Sequence, residues 1–217
     1  MTAVDTDRLA TALSQAMSKL APEEAPVALA VYRLLAKAAP VSASDIATEA
    51  GVSRVLVEQR LAEWPGVFMQ DGAVVGFWGL AIPEMAHRFE VDGHTLHTWC
   101  AYDALFIPEL IGKTARVRSA DPTTGEEIRL TISPKGIETA RPDTVVMSFL
   151  DPATTQFDAN VILNFCNYVH FFSTAASGTY WVRDHPGTFL LSLESAVRLA
   201  HQANRATFGV GLHPNGR

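Results

Sequence analysis

The chain has 217 residues, 48% of them hydrophobic and 18% charged, with a formal net charge of −6. That is enough apolar material for a real core, and the acidic balance argues against a general affinity for nucleic acid or an anionic membrane. Its two cysteines do not make a disulfide scaffold. With no apolar run long enough to span a bilayer and no basic-then-apolar leader, the expectation is a cytoplasmic protein with free thiols.

Between 6 and 20, Leu9, Leu13, Ala16, Met17 and Leu20 form one stripe of an amphipathic helix. A second helix is predicted between Pro22 and Ala38, with Val27, Val31, Leu34 and Leu35 inward and Pro40 beyond its end. Ser42 then caps a short helix, Gly51 turns the chain and Ser53 caps the next helix, a helix-turn-helix pattern. Residues 67–77 read as a hairpin about Asp71-Gly72. Helix-turn-helix plus hairpin predicts a winged-helix-like domain over 1–80, with 81–217 as a second domain. The function that pattern suggests is DNA binding. Against it, residues 1–80 hold 6 Lys/Arg and 9 Asp/Glu, whereas phosphate contacts require a surplus of cations. A packing role is the favoured reading.

After Pro83 the periodicity becomes alternating. Residues 87–91 and 94–99 read as strands joined at Asp92-Gly93, and Cys100 falls where a strand hands over to a helix closed by Pro108 and Gly112. A helix N-terminus is where backbone amides lower the pKa of a thiol. A hairpin follows over 114–118 and 127–133, then a strand over 144–150, a short helix over 154–164, a strand over 166–173, a helical turn over 180–185, a strand over 189–193 and a last helix over 194–208, with a frayed tail from Gly209. The predicted class is therefore α+β: a winged-helix-like helical domain, then a mixed, mainly antiparallel sheet domain with flanking helices.

Two cysteines stand out. Cys100 precedes Asp103 by three residues, which puts a thiol and a carboxyl on one helix face. A thiol becomes a strong soft nucleophile on losing its proton, and a neighbouring carboxylate can take that proton and return it. An acid among Trp99, Tyr102, Leu105 and Phe106 reaches solvent, finds a partner or carries a raised pKa. The plainer alternatives are two core cysteines and an aspartate that favours the helix dipole. A zinc site from His94, His97, Cys100, Cys166 and His170 is disfavoured, because His94 and His97 point to opposite faces of a strand and no compact Cys-x-x-Cys is present.

The run Trp99-Cys100-Ala101-x-Asp103-x-Leu105, then Pro108-x-Leu110-Ile111-Gly112-Lys113-Thr114-Ala115-Arg116-Val117, then Thr131-x-Ser133-Pro134, and finally Phe165-Cys166 leading to Val169-His170-Phe171-Phe172 resembles the organomercurial (alkylmercury) lyase family over nearly the whole chain. The resemblance implies protonolytic cleavage of a carbon–mercury bond to a hydrocarbon and Hg(II). Cys100 and Cys166 match the two mercury-binding cysteines, Asp103 matches the proton shuttle, and Trp99 and Phe165 match aromatic residues of the substrate pocket. It implies no cofactor, a need for external small thiols, and mercuric reductase as a partner, while the charge and hydropathy of the chain argue against a membrane or nucleic-acid partner. The chain departs from the family where Asn167 and Asp121 replace further cysteines that some members carry, and it keeps an acid at 103 where some members have serine. The alternative from another class is a winged-helix regulator sensing a soft metal through the two cysteines. A passive mercury sink is a third reading.

Overall fold

A computed structural model describes residues 5–16, 20–154 and 160–209. Met17 of the first stripe, residues 155–159 of the predicted helix at 154–164, and the tail beyond Gly209 lie outside them. Helix α1 (Thr6–Ala16) buries Leu9 and Leu13 of that stripe, and α2 (Glu24–Leu35) buries Val27, Val31 and Leu35. Helix α3 (Ala43–Ala50) begins where Ser42 Oγ accepts the Asp45 N–H and ends at Gly51, which takes a left-handed φ of 69°. Ser53 caps α4 (Arg54–Glu63) in the same way, through the Leu56 N–H. Strands β1 (Val67–Gln70) and β2 (Ala73–Phe77) form the hairpin. Its turn residues, Asp71 and Gly72, both have positive φ, as a tight hairpin turn demands. Val41, just before α3, bridges to Val74 of β2.

The hairpin does not end the sheet. Strand β3 (Leu80–Ala81), which no alternation predicts, pairs with β2 on one side and with β5 (His94–Thr98) on the other. With β4 (His87–Val91), β6 (Ala115–Ala120), β7 (Glu127–Ser133) and β8 (Gly136–Arg141), an antiparallel sheet of eight strands runs in the order β1-β2-β3-β5-β4-β6-β7-β8. A second sheet places β9 (Val146–Leu150) between β10 (Phe171–Phe172) and β11 (Thr188–Ser192). Helices α5 (Ala101–Ile111), α6 (Val161–Asn164), α7 (Ala175–Arg183) and α8 (Leu193–Phe208) complete an α+β architecture. Every residue of α5 is buried, as suits a helix that is apolar apart from Tyr102, Asp103 and Glu109. Asn204 of α8 ties it down by donating to the Phe106 carbonyl and to Glu109. Pro108, expected at the end of α5, sits inside it, and Gly112 alone turns the chain.

Asp121, in the turn between β6 and β7, joins the two sheets. Its carboxylate is 1% exposed and accepts bonds from the Ser173 N–H and hydroxyl, the Ser177 hydroxyl and the Thr123 and Thr124 N–H groups. Burial works to raise its pKa, and these bonds outweigh it, so the carboxyl lies below the usual range. Asp121→Ala strands those donors and lowers unfolding stability by about 3 kcal/mol at pH 7. A folded pKa below the unfolded one contributes stability above about pH 4 that is lost as acid protonates the group. In urea titrations the gap between native and variant therefore narrows below pH 4.

Candidate active site

Strand β5 ends at Thr98, whose hydroxyl donates to the Cys100 carbonyl. Cys100 itself is extended, with φ −142° and ψ 175°, at the N-cap of α5. Its side chain takes the place of the usual capping hydroxyl and faces the Asp103 N–H, while Asp103 Oδ2 accepts the Cys100 N–H at 2.8 Å. The three-residue spacing thus closes a capping box in which a sulfur stands for an oxygen. The same hydrogen bonds that start the helix aim thiol and carboxyl at one another.

Cys166 comes from the other end of the chain. The strand expected over 166–173 is confined to β10, and Cys166–Tyr168 is a single 3-10 turn after α6. The backbone here is spent on tertiary contacts rather than on a ladder. The Val169 carbonyl accepts the Ala101 N–H at 3.1 Å, the Tyr168 carbonyl accepts the Ser148 hydroxyl, and the His170 N–H donates to that same hydroxyl. The Ala101 bond draws the head of α5 against the Cys166 turn. As a result Cys100, Asp103 and Cys166 are all buried, and their ligand atoms lie within 4.8 Å of one another.

Burial dominates the electrostatics. It pushes the Cys100 thiol up, helped by its hydrogen bond to Cys166 and by the negative Asp103, against the opposing bond from the Asp103 N–H. The expected lowering by the helix N-terminus is thus overturned, because one backbone donor does not offset complete desolvation. For Cys166 the bond with Cys100 pulls the pKa down, but burial and Asp103 leave it raised. Desolvation lifts Asp103 from 3.8 to about 7, against its bonds with the Cys100 thiol and N–H. Two protonated thiols beside a carboxyl that titrates near neutrality make a proton-sharing cluster with soft donors.

A cavity of about 80 Å³ opens onto Asp103 and Cys166. Trp99 and Phe165, the predicted pocket residues, line it together with Trp78, Gly79, Tyr102 and Phe106. Leu13 of α1 and Val161 of α6 also line it. Sequence reasoning missed Trp78 and Gly79. Trp78 holds a φ of 33° and Gly79 one of 95°, and a Cβ at 79 would lie 2.4 Å from Asp103 Cγ. Three bonds lock this turn: Tyr32 Oη donates to the Trp78 carbonyl, the indole N–H of Trp78 to the Pro65 carbonyl, and the Trp99 N–H to the Gly79 carbonyl. Glycine in Trp-Gly-Leu after a strand is a signal of close backbone approach, though only the fold says what approaches. Tyr32→Phe removes the bond that clamps Trp78. We expect about 1 kcal/mol of lost stability and a several-fold lower turnover, measured by thermal unfolding and product assay on the same preparation.

Among the described residues no histidine joins this cluster. His94 is exposed and His97 half-buried on opposite faces of β5, and His170 Nε2 contacts the Asn167 carbonyl. Buried His87 pairs with the Ser119 hydroxyl, and desolvation, aided by His170, drops its pKa to about 3. Among the described residues, the one group of three or more His, Cys, Asp or Glu able to share an ion is Cys100, Asp103 and Cys166.

Comparison with known proteins points the same way. The family model described as MerB, alkylmercury lyase, matches residues 80–204. An alkylmercury lyase of Staphylococcus epidermidis is 40% identical over 170 residues, 78% of this chain and 77% of that protein. One of Pseudomonas putida is 38% identical over 182 residues, 83% of this chain and 84% of its own. The crystal structure of the mercury-bound form of MerB2 superposes with a TM-score of 0.71 at 22% identity, covering 92% of this chain and 98% of that one, and so shares the fold. With the family model spanning more than half of its length and such relatives along most of it, the chain belongs to the alkylmercury lyase family.

Proposed function

We propose that this protein is an alkylmercury lyase that cleaves the carbon–mercury bond of organomercurials by protonolysis, with Cys100, Asp103 and Cys166 as its catalytic residues. The observation that carries the reading is the 4.8 Å cluster of two sulfurs and a carboxylate beneath an apolar cavity. Mercury is a soft ion and thiolates are the soft ligands a protein has. Ionised Asp103 takes the proton of one thiol as that sulfur bonds mercury. The second sulfur bonds as its own proton leaves with the substrate's displaced anionic ligand. Electron donation from two sulfurs makes the bound carbon basic, and Asp103 returns its proton there. The carbon–mercury bond breaks, hydrocarbon departs, and Hg(II) stays on the two thiolates with no change of oxidation state. Trp99 and Phe165 wall the organic group away from water, which keeps a protonated carboxyl accessible near neutral pH.

The chemistry calls for no cofactor, only small external thiols to lift Hg(II) from the dithiolate. With Asn167 and Asp121 where some family members carry cysteines, this chain has no further thiol for the handover, so small thiols or a mercuric reductase receive the metal. Among the described residues no helix is long and apolar enough to cross a membrane, and we place the enzyme in the cytoplasm. We read residues 1–80 as a winged-helix-like unit that packs against the lyase unit of 81–217 and does not read DNA. This is supported by α4, whose cations are already matched: Arg54 pairs with Glu58, and Arg60 with Glu24 and Glu63.

The test is chromatography of benzene released from phenylmercury in excess small thiol, beside Cys166→Ser. Many turnovers by the native protein, lost in the variant, support the lyase. Stoichiometric mercury binding without benzene sinks it and turns attention to a sink or regulator. The pH profile is a second check. Asp103 acts first as a base and titrates at about 7, so kcat/KM rises roughly tenfold per pH unit on the acid side and levels above it. A profile flat from pH 5 to 8 contradicts that role.

A further inference from the structure

The face of the large sheet turned away from α5 carries a row of arginines. Cross-strand pairing sets Arg88 of β4 opposite Arg118 of β6, Arg118 opposite Arg129 of β7, and Arg129 opposite Arg141 of β8. Residues directly opposite project to the same side, so four guanidinium groups lie abreast over about 14 Å at the ~4.8 Å spacing of paired strands. Two positions along the strands, the next row reads Glu90, Arg116, Thr131 and Thr139. Like charges set directly opposite destabilise a sheet, and this chain is acidic as a whole. Only part of the charge is answered. Arg88 pairs with Glu90 and Arg129 with Glu127, whose carboxylate also feels the charge of Arg118, while Arg116, Arg118 and Arg141 form no close salt bridge among the described residues.

We propose that this face binds a compact polyanion, a chain of two or three linked phosphoryl groups, free or at the end of a nucleotide. Arg116, Arg118, Arg129 and Arg141 surround a recess of about 240 Å³ with the Thr131 and Thr139 hydroxyls beside them. All its cations are arginine, whose planar fork bonds phosphate oxygens in pairs, with hydroxyls to complete the set. The size of the ligand follows from the borders. Glu90 lines one edge of the recess and Glu127 lies on the other side of Arg129, so an extended acidic chain crossing the row along the strands meets carboxylates at both ends, whereas a short phosphate chain fits between them on the arginines. No aromatic residue lines the recess to stack a nucleic-acid base. The site lies on the opposite sheet face from Cys100, and it is independent of the lyase reaction.

The experiment is calorimetric titration of the full-length protein with sodium tripolyphosphate, orthophosphate, ATP, a glutamate-rich heptapeptide and a single-stranded oligonucleotide at one low ionic strength. Tripolyphosphate is expected to bind one to one, at least tenfold more tightly than orthophosphate and at least tenfold more weakly to the double variant Arg118→Ser/Arg141→Ser. That variant retains native turnover of phenylmercury, which shows that it is folded, and Arg116→Gln repeats the loss from a second position. ATP binding within threefold of tripolyphosphate supports recognition of the phosphate chain alone. Tighter ATP binding, lost in the same variants, supports a nucleotide as its source. Absence of tripolyphosphate binding, or binding equal in native and variants, overturns the proposal. Tighter binding of the heptapeptide or the oligonucleotide overturns it in favour of an acidic protein segment or a nucleic acid.

Discussion

Asp103→Asn lowers the rate of hydrocarbon release from bound organomercurial by roughly 100- to 10,000-fold, the scale of one general acid–base group, while leaving stoichiometric capture of the metal by Cys100 and Cys166 intact. Asparagine can still accept the Cys100 N–H that starts α5, so the helix and both sulfurs keep their places. What disappears is the shuttled proton. Single-turnover assays separate the two steps, and equal hydrocarbon release by native and variant would remove Asp103 from the chemistry. Stability moves in the opposite direction. The native carboxyl titrates at about 7 against an ordinary 3.8, so the folded state holds its proton more tightly than the unfolded chain. Such a group contributes stability at low pH that is lost as pH rises through the folded value. At pH 8 the variant should therefore unfold at higher denaturant than the native protein, by up to about 4 kcal/mol for a three-unit shift. At pH 4 the two should nearly coincide. Higher stability with lost turnover is the signature of a carboxyl kept for function.

Gly79→Ala is expected to be nearly as damaging for a steric reason. The new methyl would sit 2.4 Å from Asp103 Cγ and 2.6 Å from Oδ1, in a backbone with a φ of 95° that alanine adopts only under strain. Either the Trp78–Gly79 turn retreats, opening the cavity roof, or Asp103 rotates away from Cys100. We expect roughly 2–4 kcal/mol of lost stability and at least a hundredfold loss of turnover, of the kind a misplacement of about 1 Å produces. Full activity in Gly79→Ala would show that the turn yields freely and does not position the acid. The substitution also probes a link between the two ends of the chain, since Tyr32 of α2 clamps the same turn.

How far the sequence reached follows from the range of the forces involved. Helix caps, the hairpin turn at Asp71-Gly72 and the Cys100–Asp103 box are set by residues within a few positions of one another, so Ser42, Ser53, Gly51 and Gly112 announce themselves in any reading. The last helix and most strands follow from their apolar periodicity. Strand β3 is too short to alternate and exists because β2 and β5 offer it partners on both sides. Residues around Cys166 look like a strand because they are aromatic and β-branched, yet their hydrogen bonds go to Ala101, 68 positions from Val169, and to Ser148, 20 positions from Tyr168.

The site divides along the same line. Local sequence determined that a thiol would cap a helix with a carboxyl one turn on, because three-residue spacing at a helix start leaves few other geometries. Family resemblance identified the second sulfur, but that resemblance contains no distance. Only the tertiary structure decided that Cys166 meets Cys100, through the Ala101–Val169 bond, and that Gly79 and Tyr32 shape the acid's surroundings. It also decided the sign of the thiol shift. A helix N-terminus can be read from sequence, whereas complete desolvation is a property of everything packed around it, and here desolvation is the larger effect.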